Sequence, residues 1–462
     1  MKNIFKFIYN KKDNGIYRII TILGIRIITK PIELKLLKRQ KKCFTKFKSY
    51  FSLLNKFNKS IVLANFYNIP IENNPSIAVF GVLPPEKTGI ANCNAKIFGI
   101  NSYYEVFSDF KSFSHFITAE KYINDNYKNN FFPIEYFYKY KNNYDKKIFV
   151  LGNSYHNIRY LDYAIEEKDK KNSYLYFHEA NSLNLIYSYT DCSVRKFKEI
   201  IINYYPSIYN KINCLKNKYQ IIQILQKEKI YVIKIILQFT NIKNIIVNND
   251  KCKELIINET KETNYYNKIN IIKMFHPIEK LNKENIKKQY KKLHDNIYIG
   301  SFGYLDSVKG SDTVIKVINI LNKKCNNKIK LVVSGYNAKN YINTIKDKTL
   351  TENIICFETK NTEDFISLMD SVDMAIQLRN NPQGESSGVI CQLLALNKKI
   401  ITTKGFVSKE LSKSVREVKP FISAEELTLE ILDYLEDKTI IDNSELIEKY
   451  SFENLSNKLL EL

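Results

Sequence analysis

Residues 371–405 read SVDMAIQLRNNPQGESSGVICQLLALNKKIITTKG, and their reading decides the fold. An apolar strand, Met374 to Leu378, runs into the polar loop Gly384-Glu385-Ser386-Ser387-Gly388. An apolar helix and a second strand, Lys399 to Thr403, follow. A glycine-bracketed loop between a strand and a helix gathers free backbone N–H groups and a helix N-terminus at one point, which is a geometry for phosphate or another anion. A glutamate would repel that anion. Glu385 is therefore expected on something neutral and polar, such as sugar hydroxyls.

The same alternation extends on both sides. Upstream lie strands at 297–302, 329–334 and 353–357, with helical patterns at 312–323, 339–347 and 362–370. Earlier still, strands are read at Ile77 to Leu83, Lys147 to Leu151, Tyr174 to Phe177, Ile245 to Asn248 and Ile271 to Met274. Residues 108–146 are aromatic, lysine-rich and irregular. The run Phe275-His276-Pro277-Ile278 breaks the pattern, and a charged helix is expected from Glu279 to Leu293. Strands alternating with helices imply α/β units with a mostly parallel sheet. Two Rossmann-like domains facing a central cleft are the expected architecture, spanning 61–283 and 284–445. A basic leader at 1–60 precedes them and a C-terminal helix at 446–462 follows, with a break at Tyr450-Ser451-Phe452.

Composition agrees with more than one domain, since 462 residues is long for a single core. Glycine is scarce, 13 in all, against a usual share of ~7%. Most of the glycines fall at or just beyond apolar runs, where open α/β sheets bind ligands. The eight cysteines are scattered without C-x-x-C pairs or metal spacing. They read as reduced thiols of a cytoplasmic protein. No apolar run approaches the ~20 residues of a membrane span, and no signal peptide is recognisable.

Charge is concentrated at the start. Residues 1–60 hold sixteen Lys/Arg and two acids, so 16 − 2 = +14 of the net +23 lies there. Two short β segments, Ile4 to Tyr9 and Gly24 to Thr29, are expected around the turn Lys12-Asp13-Asn14-Gly15. An amphipathic helix over 32–57 follows, with Leu37, Phe44, Phe47, Phe51 and Leu54 on one face. Such a leader suits an anionic membrane surface, and packing on its own domain explains the apolar face equally well. Pelleting on anionic vesicles, with and without residues 1–60, separates the two. No nucleic-acid motif is present in it, and no nucleic-acid partner is expected.

Three further places carry candidate chemistry. Ser301 to Gly310, SFGYLDSVKG, places Gly303 and Lys309 in a strand-to-helix loop, where an ammonium reaches a diphosphate. It does not match a nucleotide-hydrolysing phosphate loop. Gly89 follows the first strand through Pro84-Pro85-Glu86-Lys87-Thr88 and opens a helix. His178 ends an apolar strand and would face the same cleft. Glu179 beside it should point to the opposite face and receives no role. His115, His156, His276 and His294 have no comparable setting.

These residues resemble the donor-binding domain of GT-B fold glycosyltransferases, specifically glycosyltransferase family 4. The resemblance rests on G-x-L-x-x-x-K-G (Gly303 to Gly310), Ser334-Gly335, the Asp373 to Arg379 region and the Gly384 to Gly388 loop. It is weaker in the first half, through Pro84/Pro85 to Ala91 and His178. It implies a retaining, metal-independent transfer of sugar from a nucleotide-sugar donor to a surface-glycan or lipid-linked acceptor, with no further cofactor. It also implies roles: Lys309 on the donor diphosphate, Glu385 on donor sugar hydroxyls, and His178 near the sugar as a catalytic group. Gly303, Gly384, Ser386, Ser387 and Gly388 would bind donor, and Gly89 would border the phosphate or acceptor side. The implied place is the cytoplasm, at the inner face of the membrane. Two positions depart from the family: Tyr304 stands where arginine is usual, and Leu393 where a second glutamate contacts ribose. A non-catalytic module of the same fold that binds a nucleotide sugar or glycan is the competing reading.

Overall fold

The computed structural model describes residues 9–13, 18–22, 25–29, 77–86, 88–110, 131–137, 144–261, 266–281, 286, 290, 296–325, 328–359 and 361–462. They fall into a unit of residues 1–71 and a unit of residues 72–462.

The first unit holds a three-stranded antiparallel sheet: β1 (Tyr9–Asp13), β2 (Arg18–Ile22) and β3 (Ile25–Thr29), in that order. The expected segment Gly24 to Thr29 corresponds to β3, while the turn expected at 12–15 is corrected. Lys12 and Asp13 lie inside β1, and the β-branched run Arg18-Ile19-Ile20-Thr21-Ile22 forms a middle strand paired on both sides. Residues 4–8 and the amphipathic helix over 32–57 lie outside the described residues.

The second unit contains two parallel sheets. The first runs β4 (Ile77–Phe80), β5 (Tyr104–Ser108), β6 (Phe131–Pro133), β7 (Lys146–Leu151), β8 (Ser173–Phe177), β9 (Asn244–Val247) and β10 (Asn270–Lys273). Its spatial order is β10-β9-β8-β7-β4-β5-β6. The second runs β11 (Ile297–Phe302), β12 (Ile329–Ser334), β13 (Ile354–Cys356), β14 (Met374–Gln377), β15 (Lys399–Thr403) and β16 (Arg416–Val418), ordered β13-β12-β11-β14-β15-β16. Every pairing in both sheets is parallel. The central strands are mostly apolar because helices cover both faces. In the second sheet Ile299, Leu331 and Met374 enter one core while Tyr298, Val332 and Ala375 enter the other. Alternation along each strand produces that division.

β5, β6 and β16 are strands that the sequence reading passed over. β5 is buried throughout, with Glu105 as its second residue held by the Tyr144 hydroxyl. A carboxyl residue inside so short a run hides a buried strand from a hydrophobic pattern. The helix expected over 279–293 lies largely outside the described residues, and 279–281, 286 and 290 are not helical.

The order 3-2-1-4-5-6 of the second sheet puts β11 next to β14, where the winding reverses. The loops that follow these two strands therefore flank one crevice at the strand C-termini. In the first sheet β4 lies beside β7 in the same way, so the loops after Phe80 and Leu151 flank its crevice. The chain crosses between the halves twice. Residues 274–281 leave the first sheet, and Ile278 pairs with the returning chain through its N–H to the Tyr450 carbonyl, 2.8 Å. Beyond that point the helix Phe452–Leu460 packs Leu455 and Leu459 into the core of the first sheet. No helix among the described residues is long and apolar enough to cross a membrane.

Candidate functional site

The two crevices open into one cleft of about 950 Å³. Gly89, Asn153, His178, Glu179 and His276 line it from the first half. Gly303, Gly335, Glu385, Ser386, Gly388 and Gln392 line it from the second. A smaller cavity of about 200 Å³ adjoins it, between Lys309, Arg379, Glu385, Ser386, Ser387 and Gly388. Of the residues given a binding or catalytic role in the sequence, Gly384 alone lines neither.

The floor of the small cavity is made by the two switch-point loops, stitched together by Asn380. Its N–H donates to the Val308 carbonyl (2.8 Å) and its side-chain amide donates to the Ser307 carbonyl (2.8 Å). Asp306 accepts from the Lys309 N–H at 2.7 Å, fixing the turn from which the lysine projects. The Lys309 ammonium lies 5.9 Å from the Tyr304 ring centroid. Burial, and then the neighbouring Arg379 guanidinium, lower its pKa to about 8. Two cations share this corner with the N-terminus of the helix Gly388–Ala395, whose cap is Ser387, accepting from the Ile390 N–H. Like charges held beside a helix N-terminus form a cradle for a multiply charged anion. Arg379 was noted in the sequence only as the end of a strand region. It lies two residues beyond β14, at the start of the loop, and supplies the second cation in a corner where Tyr304 brings none.

Glu385 is anchored rather than free. One carboxylate oxygen lies 2.5 Å from the Arg379 Nε, and the other accepts from the Gln383 N–H at 2.6 Å. Its loop is held from the opposite half of the molecule. The Asn249 amide donates to the Gly384 carbonyl (3.0 Å), the Glu385 carbonyl (3.1 Å) and the Ser386 hydroxyl (3.3 Å). Gln383 accepts from the Asn181 amide at 2.6 Å and from the Ala180 N–H at 3.2 Å. Gly384 serves this seam. With φ at +83° and Cys252 Cα only 2.5 Å from where a Cβ would stand, it takes glycine's backbone and leaves no room for a side chain. That tight packing is why it does not reach the cleft.

His178 lies at the end of β8, stacked on Tyr176 with ring centroids 5.1 Å apart. Its Nδ1 is 3.4 Å from the Asn248 amide, while Nε2 is buried without a partner. Because Tyr176 donates to the Asn248 oxygen, the Asn248 nitrogen is left to donate to Nδ1. Nε2 therefore carries the proton. Burial, helped by His276, lowers the His178 pKa to about 3, so the ring is neutral. His276 lines the same cleft, with a pKa lowered by burial to about 4 and Nδ1 unpartnered.

Two expectations are corrected here. His276 does share the setting of His178, because the crossing segment carries it under the cleft. Glu179 faces the cleft as well, since β8 ends at Phe177 and strand alternation stops there. Burial, then the Glu385 charge, raise the Glu179 carboxyl to about 8, against the opposing pull of Arg379 and a hydrogen bond from the Asn153 backbone. Glu179 is a carboxylic acid at neutral pH.

Comparison with known proteins now adds to the geometry. Residues 282–451 match the family model of the glycosyl transferases group 1. The chain is similar in structure to HepE of Anabaena in complex with UDP and glucose. That match has a TM-score of 0.56 and 13% identity, over 84% of this chain and 98% of that one. It is also similar to sucrose-phosphate synthase of Thermosynechococcus elongatus, with a TM-score of 0.51 and 11% identity, over 83% and 97%. The chain has the GT-B glycosyltransferase fold. No curated protein sequence matches it. In this GT-B molecule the matched family region contains both switch-point loops, Lys309, Arg379 and Glu385. His178 and Glu179 come from the half that the family model does not cover.

Proposed function

We propose that this protein is a retaining glycosyltransferase that moves a sugar from a nucleotide-sugar donor to a surface-glycan or lipid-linked acceptor. One observation carries the reading: the Lys309, Arg379 and Gly388 helix corner, built for an anion, opens beside a wall of neutral hydrogen-bonding groups from the facing sheet. The similarity to a fold relative holding UDP and glucose supports the same donor class.

The chemistry follows from where charge develops. As the bond from the sugar carbon to the phosphate oxygen breaks, negative charge grows on the leaving diphosphate. Lys309, Arg379 and the amides of Ser387 and Gly388 stabilise that charge more in the transition state than in the ground state. This supply of positive charge is the basis for reading the reaction as metal-independent. Glu385 is held by Arg379 and the Gln383 N–H, so it serves as a fixed acceptor for a sugar hydroxyl rather than as a nucleophile. The acceptor oxygen then bonds to the sugar carbon on the face the diphosphate leaves, and its proton passes to the departing phosphate oxygen. Entry and exit on one face retain configuration. His178 Nε2–H donates a neutral hydrogen bond to the sugar. A position at an anionic membrane surface through residues 1–60 belongs to the same proposal and rests on their charge.

A thermal-shift panel of nucleoside diphosphates and nucleotide sugars tests the donor, since a ligand that binds the folded state raises its melting temperature. A specific nucleotide sugar should raise Tm, and Lys309→Ala should abolish most of the shift. Turnover of that donor should fall in both Lys309→Ala and Glu385→Gln. Wild-type rates in both variants would remove the site assignment. A donor that binds without hydrolysis or transfer to any acceptor would turn the protein into a binding module.

A further inference from the structure

Asn249 is buried and works at both ends of its side chain. It is the N-cap of the helix Asp250–Thr260, accepting from the Cys252 N–H at 2.7 Å. Serine, threonine or aspartate would cap that helix about as well. An asparagine adds the N–H donors of its amide. These go to the facing loop of the second half, to the Gly384 and Glu385 carbonyls and the Ser386 hydroxyl oxygen. Capping accounts for one end of the side chain and leaves the other to be explained.

Peptide geometry supplies the reason. In a planar trans peptide the carbonyl of one residue and the N–H of the next point in opposite directions. The Gly384–Glu385 and Glu385–Ser386 bonds are both trans. Two successive carbonyls drawn to Asn249 therefore turn the N–H groups of Glu385 and Ser386 the other way, away from the first half. Neither N–H has a hydrogen-bond partner among the described residues. Both residues line the small cavity together with Lys309 and Arg379. Successive amides turned to one side make a concave site for an anion, here just ahead of the N-terminus of the helix Gly388–Ala395. Ser386 is oriented in the same way: with its oxygen accepting from Asn249, its proton is left to donate.

We propose that Asn249 is a positioning residue for donor binding: from the first half of the molecule it turns the Glu385 and Ser386 amides toward the diphosphate held by Lys309 and Arg379. This rests on the donor reading given above and goes past it. The anion site is complete only while the half that carries Asn249 is docked on the loop.

The test separates the two ends of the side chain. Asn249→Ser and Asn249→Thr keep a capping oxygen and lose the amide. Affinities of the wild-type full chain for UDP, ADP, GDP and CDP are measured by calorimetry. The tightest is carried forward with its nucleoside, whose affinity is read from its displacement of the diphosphate. Each variant should bind the diphosphate roughly tenfold more weakly than wild type, the scale of lost hydrogen bonds to a charged group. Nucleoside affinity should match wild type, and melting temperatures without ligand should stay near it because the cap is kept. Wild-type diphosphate affinity in a folded variant overturns the proposal. An equal loss for nucleoside and diphosphate overturns it too, as a general disturbance of the cleft, and unfolding of both variants would make the residue structural instead. Failure of the wild type to bind any of the four diphosphates is a separate result that overturns the donor reading itself.

Discussion

Lys309 works against its own environment. Partial burial and the Arg379 guanidinium hold its pKa to about 8, well below that of a free lysine. A diphosphate ester keeps its charge across this range, so its binding restores the ammonium and takes up a proton. The sign follows from linkage: affinity for the donor is fully present below pH 8 and falls as the pH rises through it. Titrating from pH 6.5 to 9.5 the affinity for whichever nucleotide sugar the thermal-shift panel selects should show this loss, approaching tenfold per unit at the alkaline end. Lys309→Arg, charged throughout, should flatten the profile. A flat wild-type profile would mean that Lys309 does not meet the phosphates. At this scale the sequence was legible where glycine or a strand end marked a loop, as for Lys309, Glu385 and His178. It gave Arg379 only as the end of a strand region, turned Glu179 to the opposite face and set His276 apart from the cleft. Each of these depends on a chain path, a strand stopping at Phe177 or a crossing under the cleft, that has no local signature.

Among the elements, the Gln383–Gly388 loop is positioned by residues distant in sequence. Asn249 caps the helix Asp250–Thr260 by accepting from the Cys252 N–H, and donates to the loop with its other end. Gly384→Ala would force a side chain at φ +83° into the Cys252 backbone, and the loop would have to back away. A cost of about 2–4 kcal/mol is expected from the strained backbone and the overlap together. Tm and donor affinity should therefore fall in concert. A variant with wild-type values of both would mean the seam is soft and the loop is not held by it. The six-residue strands β7 and β11, with apolar runs, were readable from pattern alone. The edge strand β6 lies in the aromatic, lysine-rich stretch 108–146, β16 carries Arg416 and Glu417 in its three residues, and β5 was masked by Glu105.

For the molecule as a whole, the double alternation of strands and helices announced two Rossmann-like halves, and the sheet orders bear that out. Hidden from pattern was the partner of the last helix, because an amphipathic face looks the same whichever core it enters. Leu455 and Leu459 are fully buried in the core of the first sheet, and the Tyr104 hydroxyl donates to the Ser456 carbonyl at 2.5 Å. Leu459→Ala should cost about 2–5 kcal/mol of stability by opening a cavity there, read by chemical denaturation. Ending the chain at residue 449 should expose the first half to proteolysis while the second sheet stays protected. Equal protection of both halves would show that the last helix is dispensable.

The double crossing also sets an order of events during synthesis. The sheet of the first half leaves the ribosome early, yet residues 452–460 that complete its core are made after the whole second half. Until they emerge, the surface meant for Leu455 and Leu459 stays open. The second half can close on itself first, so the part of the chain translated earlier is the part that finishes folding later.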